Sequence, residues 1–329
     1  MLFLSHHRTF VSELLCKVGL LLLTVLIALP DEVRGQTTNP QLTWAHARIS
    51  QVLDLIRSAE QQHLPQEQQG ILWAELGLAY WNATEFAKAE DAYNKSLLCF
   101  KGAPSAAPRY AATLEELASL YLSYGRVSDA ESTDNEAFVV RKKLGDPAGI
   151  GVSQIHLANI ALVKHQFKKA EQLGKDGMRN LQSASVSPSV GVLSGFITLT
   201  YALCSHKHCQ EGFKQAQLAV LFANKNFEPE SAPIGFALET LGFAEWKRGA
   251  KQDAEKDMLD GIRILRKTLA PTDPRLAGAM LQYRAYLLEA DRPAEARDIQ
   301  QEVSVMTRQT GIGCSNCAVS VNTLSNGWR

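Results

Sequence analysis

Neither sign of charge is in excess in this 329-residue sequence: Lys plus Arg and Asp plus Glu each number 34, and the formal net charge is zero. Without a basic surplus there is no electrostatic footprint for the phosphates of a nucleic acid. Proline is scarce at 12 residues and glycine numbers only 22, so long helices are permitted over most of the chain. A nucleophile motif, a phosphate-cradling glycine loop and a metal-protease signature are all missing, which argues against an enzyme. What remains is a globular composition, with 46% apolar and 21% charged residues.

The N-terminal apolar run is too short to cross a bilayer. Val18 to Leu29 (VGLLLLTVLIAL) spans about 18 Å as a helix, against a hydrocarbon core of about 30 Å. Arg8 and Lys17 precede it, Pro30 breaks it, and Val33-Arg34-Gly35 offers modest residues to a signal peptidase. Residues 1–35 are therefore expected to be a signal peptide, cut after Gly35. The rival is an uncleaved anchor, the only case in which a membrane contact is expected. Cys16 lies before the run, which excludes a lipoprotein, and no arginine pair marks the twin-arginine route. The expected location is outside the cytoplasm, periplasmic or extracellular.

Past this segment the chain repeats itself. Trp73, Leu76-Gly77 and Tyr80 are followed one helix later by Ala89 and Tyr93. Small residues recur at Gly77, Ala118, Ala158, Thr200, Gly242 and then Arg284, at separations of 41, 40, 42, 42 and 42. A second series, Ala89, Ala130, Ala170, Gly212, Ala254 and Ala296, trails the first by twelve residues each time. A small residue in each of two paired helices lets their backbones approach while the large residues around it fill the groove. Gly125-Arg126, His165-Gln166 and Gly249-Ala250 fall where the two helices must reverse. Pro104, Pro108, Pro147, Pro188, Pro229, Pro233, Pro271 and Pro274 interrupt the chain between units.

These residues and spacings resemble the tetratricopeptide repeat family, and the period of 40–42 is similar to that of the kinesin light chain type. The resemblance covers 71–309. It implies an all-α fold, a right-handed superhelical solenoid of about six helix-turn-helix repeats. It is preceded by a capping helix or half-repeat over 42–63, with Ala47 in phase, and followed by a cysteine-containing tail over 310–329. Two repeats depart from the pattern: the fourth, with Thr200, Gly212 and Cys209, and the sixth, with Arg284 and Pro293.

The resemblance also implies a scaffold that holds a protein or peptide against first helices lining a concave face, with no cofactor. The positions expected there are Trp81, Glu115, Asn159, Tyr201, Glu239, Phe243, Trp246 and Lys247, whereas Trp73 is expected in the core. For Phe243 and Trp246, packing between repeats is the competing expectation. Relatives that clamp a terminal carboxylate use Lys and Asn where this sequence has Ala74 and Leu78, so that narrower function is not expected. Self-association through the terminal repeats is a further expectation to be tested.

Five cysteines follow Gly35, and in an exported chain pairs are expected to oxidise. Cys204 and Cys209 bracket the reversal in the fourth repeat, Cys314 and Cys317 lie in the tail, and Cys99 is left over, expected to be buried. The alternative function is a metal-binding or thiol-redox accessory protein. It would use the Cys204–Cys209 turn, with His206 and His208 between the cysteines, or the Cys314–Cys317 tail. No metal ligand outside that turn can be named from the sequence, and Ala318 after Cys317 excludes covalent haem attachment. Intact-mass measurement of the exported protein should give a chain beginning at Gln36; a mass that includes residues 1–35 would sink the signal-peptide reading.

Overall fold

Six sharp reversals, each turned by one left-handed residue, set the architecture. They lie at Thr84, Gly125, His165, Lys207, Gly249 and Asp291, with φ between 56° and 85°. In each, the next residue's N–H returns to a carbonyl five residues back. The series is Glu85 to Tyr80, Arg126 to Tyr121, Gln166 to Ala161, His208 to Leu203, Ala250 to Glu245 and Arg292 to Leu287, at 2.8–3.0 Å. This is the bond pattern that closes a helix C-terminus by satisfying carbonyls that would otherwise be orphaned. Only two of the six residues are glycine. The other four take a conformation that costs an L-residue roughly 1–2 kcal/mol, so the stacked helices must hold them there.

In this computed structural model the described residues are 40–123, 125–184 and 189–310, and they hold thirteen α-helices and no strand. The chain from Gln41 onward is one unit and is described by itself. A single helix, α1 (Pro40–Gln61), precedes six hairpins: α2 (Gln66–Asn82) with α3 (Phe86–Phe100), α4 (Ala107–Ser123) with α5 (Val127–Leu144), and α6 (Pro147–Val163) with α7 (Phe167–Ser183). Then come α8 (Ser189–Ser205) with α9 (Cys209–Asn226), α10 (Ala232–Lys247) with α11 (Lys251–Thr268), and α12 (Pro274–Glu289) with α13 (Pro293–Thr310). Pro147, Pro233 and Pro274 sit in the first turns of α6, α10 and α12, where a missing N–H costs nothing. The solenoid of helical pairs is the expected fold. The expected signal segment, Pro188 and the tail with Cys314 and Cys317 lie outside the described residues.

The small slots do what the spacing requires. A Cβ on Gly77 would stand 2.7 Å from the Tyr93 ring, and one on Gly242 would stand 2.7 Å from the Ala254 carbonyl oxygen. Ala89, Ala130, Ala158, Ala170 and Ala254 are fully buried at the other slots. The departure in the fourth hairpin is self-consistent: Thr200 Oγ1 donates to the Phe196 carbonyl at 2.9 Å and reaches the Gly212 carbonyl at 3.3 Å. Arg284 has no such compensation. Its Nε is buried without a partner, and the α12/α13 hairpin is the most loosely packed of the six.

Two expectations are corrected. In α1 the residue against the array is Ala45, on the stripe Ala45, Ile49, Val52 and Ile56, while Ala47 is exposed. The 42-residue phase therefore does not extend to the capping helix, whose apolar stripe alone chooses its face. Trp73 is half-buried, with Lys95 Nζ 4.6 Å over its ring. Cys99 is free and half-buried, and burial raises its thiol pKa.

Gly242→Ala places a methyl against backbone atoms that cannot rotate away, and should cost about 1–3 kcal/mol of unfolding free energy in urea titration. An unchanged midpoint would refute the close approach of α10 and α11.

Candidate functional site

The first helices of the three middle hairpins, α6, α8 and α10, are apolar nearly all round. Only a helix covered on every side tolerates that composition in water. In α6, residues 155–161 are buried without interruption, and α10 is buried over 232–237 and 242–246. The cover comes from neighbouring first helices, which pack side by side. Ser153 of α6 donates to Glu115 Oε1 of α4 at 2.7 Å. Thr198 of α8 donates to Asn159 Oδ1 of α6 at 2.8 Å, and Tyr201 of α8 to Glu239 Oε2 of α10 at 2.7 Å.

The eight positions expected to meet a partner are therefore engaged within the stack. Trp81, Glu115, Asn159, Glu239, Phe243 and Trp246 are buried and Tyr201 is half-buried. Glu115 also receives Arg141 Nη2 at 3.0 Å. The Phe243 ring lies 4.6 Å from that of Tyr201 and 6.1 Å from that of Trp246, which meets Tyr286 at 6.0 Å. Lys247 alone is exposed, with its Nζ 3.4 Å over the Trp246 ring. The aromatic run is packing between repeats.

The first helix of the first hairpin has no first helix before it, so one side stays open. There α2 leaves Ile71, Ala74, Glu75 and Leu78 half-covered, facing Trp44, Arg48 and Gln51 of α1 and Arg109, Ala112 and Glu116 of α4. The groove has a volume of about 440 Å³. Arg48 Nη2 donates to Glu75 Oε2 across it at 2.6 Å. Trp44, half exposed, and Asn82 also border a second cavity of about 310 Å³, walled by Phe227, Pro233, Leu269 and Asp273. The array coils tightly enough that Thr84 Oγ1 meets Thr272 Oγ1 at 3.2 Å. Trp44 and Arg48 were not singled out from the sequence because α1 falls out of register with the repeats, and Arg109 because the first turn of α4 holds no small-slot position.

A separate cluster occupies the edge of the fourth hairpin. Cys204 and Cys209 are joined by a disulfide. Between them, left-handed Lys207 turns His206 and His208 toward Glu171 of α7, their Nδ1 atoms 2.6 and 3.0 Å from Glu171 Oε2. Burial works to raise the Glu171 carboxyl, but hydrogen bonds from His206, Lys175 and His208 overcome it and hold the group at about 2. Glu171 had a signal in the sequence that was not used. It directly follows small slot Ala170, as Glu90, Glu131 and Glu255 follow Ala89, Ala130 and Ala254.

No family model and no curated protein matches the sequence. Solved structures do resemble the fold. The apo form of RapI superposes with a TM-score of 0.65 at 11% identity, covering 82% of this chain and 95% of that one. A Rap protein complexed with Competence and Sporulation Factor gives 0.56 at 14%, covering 78% and 74%. BtubC (BKLC) from P. vanneervenii gives 0.51 at 19%, covering 68% and 89%.

The buried Glu239 makes a prediction about pH. Burial pushes its carboxyl from 4.5 to about 8 against the opposing hydrogen bond from Tyr201, and Oε1 has no partner. Between these values the folded chain holds a proton that the unfolded chain has lost. Stability should therefore fall as pH rises through that window, by up to about 1.4 kcal/mol per unit. Glu239→Gln should flatten this part of the stability–pH curve. Identical slopes in the two proteins would show that Glu239 is ionised in the fold.

Proposed function

We propose that the protein is an exported, non-catalytic scaffold that holds a peptide, or an extended segment of a partner protein, in the groove between α1, α2 and α4. The observation that carries this reading is the uncovered inner side of α2. The later first helices close over most of their inner positions with side chains from the next repeat, whereas Ala74 and Leu78 remain accessible between charges of both signs. An apolar strip flanked by Arg48, Glu75, Arg109 and Glu116 suits an extended chain with apolar and charged side chains. Half-exposed Trp44 supplies the aromatic anchor that such sites favour. A protein similar in fold has been solved in complex with Competence and Sporulation Factor, so an array coiled in this way can hold a partner. Export is supported by the layout of residues 1–35, and the absence of a catalytic motif supports binding over chemistry.

A random peptide library panned against the full mature chain tests the groove. Selected peptides should bind at least 10-fold more weakly to a Trp44→Ala, Arg109→Glu double variant, a loss of about 1.4 kcal/mol, with helical circular dichroism unchanged. Phe243→Ala, by contrast, should lower stability by about 3–5 kcal/mol. Peptides that bind the double variant as tightly as the wild type would remove the groove from the proposal.

A further inference from the structure

Neighbouring hairpins are tied by a recurring pair. The residue after the small slot of one second helix reaches the turn of the next hairpin. Glu90 takes Arg126 at 3.0 Å, Glu131 takes Lys164 at 2.7 Å, and Glu255 takes Arg292 at 2.5 Å. At the α9-to-α10 junction the pair becomes Phe213 under Arg248, at 3.9 Å. Each of these turns brings one permanent cation to its partner. The turn facing Glu171 brings two imidazoles instead, and both converge on one carboxylate oxygen.

We propose that Glu171, His206 and His208 form a binding site for a divalent transition metal ion of the zinc class. One donor atom from each of the three residues lies within 4.8 Å of the other two, and both Nδ1 atoms stand at hydrogen-bond distance from Glu171 Oε2. Tetrahedral zinc with ligands at about 2.0–2.1 Å sets its donors about 3.3 Å apart, so the His208 ring must retreat from Glu171 Oε2 by about 0.3 Å and the His206 ring by about 0.7 Å to admit it, which their partial exposure allows. A nitrogen–nitrogen–oxygen donor set suits zinc and copper(II) and is a poor match for magnesium or calcium.

Neighbouring groups hold these donors in place. Lys175 Nζ donates to Glu171 Oε1 at 2.9 Å, fixing the carboxylate while leaving Oε2 to the ion. Left-handed Lys207 and the Cys204–Cys209 bridge hold the two rings together, 5.0 Å apart between centroids. The cysteines thus shape the turn and, being bonded to each other, are not thiolate ligands. Glu171 and His206 line an open depression of about 960 Å³ beside His165 and Gln172, through which water or a donor from another molecule can reach the site. This site is on a different part of the array from the proposed groove and stands or falls independently of it.

The test uses the full mature chain with its disulfide intact, stripped of metal and titrated with Zn2+ by calorimetry, with Mg2+ as control. The expected result is one saturable equivalent of Zn2+ at micromolar or lower concentration and none of Mg2+. The decisive variant is His208→Arg with His206→Ala, which places an arginine where Arg126 and Arg292 stand in their own turns, one residue after the left-handed position, and so should keep the fold. Glu171→Gln provides a second removal. Either should weaken Zn2+ binding at least 10-fold, with circular dichroism and free-thiol content unchanged. No saturable Zn2+ binding by the wild type would overturn the proposal, as would an undiminished equivalent in either variant.

Discussion

The structure depends on the contact made where a small residue lets the two helices of a hairpin approach closely. At Gly242 the neighbouring backbone oxygen stands where a Cβ contact would already be too close, and Gly77 leaves the same lack of room against Tyr93. Such proximity lets residues on either side interlock at interior density, which disperses stabilisation over many weak contacts. It also fixes where the turn must come, twelve residues separating the two slots. The left-handed residue at each reversal follows from that constraint. Thr84, His165, Lys207 and Asp291 adopt it without being glycine because the paired helices leave the chain no other way back.

From that contact follows the next layer, the packing of one hairpin on another. First helices are sandwiched between their own partners and the neighbouring first helices, so even polar residues on them are absorbed into the stack. Glu115 is paired with Arg141 and accepts a hydrogen bond from Ser153, Asn159 accepts from Thr198, and Glu239 accepts from Tyr201 with burial pushing its carboxyl up to about 8. The two proposed binding surfaces lie where this mutual cover stops. One is the start of the array, where α2 has no first helix before it. Another is the outer edge of the turns, where Glu171 meets His206 and His208. Both proposed sites thus fall where the repetition is broken.

The same division explains what could be read in advance. Helix count, hairpin pairing and turn positions were legible because a two-slot register over six units leaves few other arrangements. Thr200 and Gly212 were visible as misfits, although their mutual compensation through a hydroxyl–carbonyl contact was not. The inner-face residues were identified by register, but register carries no information on how closely successive hairpins approach. A wider coil would have exposed Phe243 and Trp246; this one stacks them between Tyr201 and Tyr286. Ala47 shows the converse, a periodic coincidence overruled by the apolar stripe beginning at Ala45.

Local chemistry repeated along the chain determined, by itself, that this protein is a stack of helical pairs, because small slots, prolines and reversals act within one hairpin over a few tens of residues. The tertiary structure decided which faces stay open and which distant groups meet. Glu171 lies 35 and 37 residues from His206 and His208, and Trp44 lies 65 residues from Arg109. Such meetings depend on the angle and distance between hairpins. Those are set by the sum of many side-chain contacts rather than by any residue that a pattern could mark.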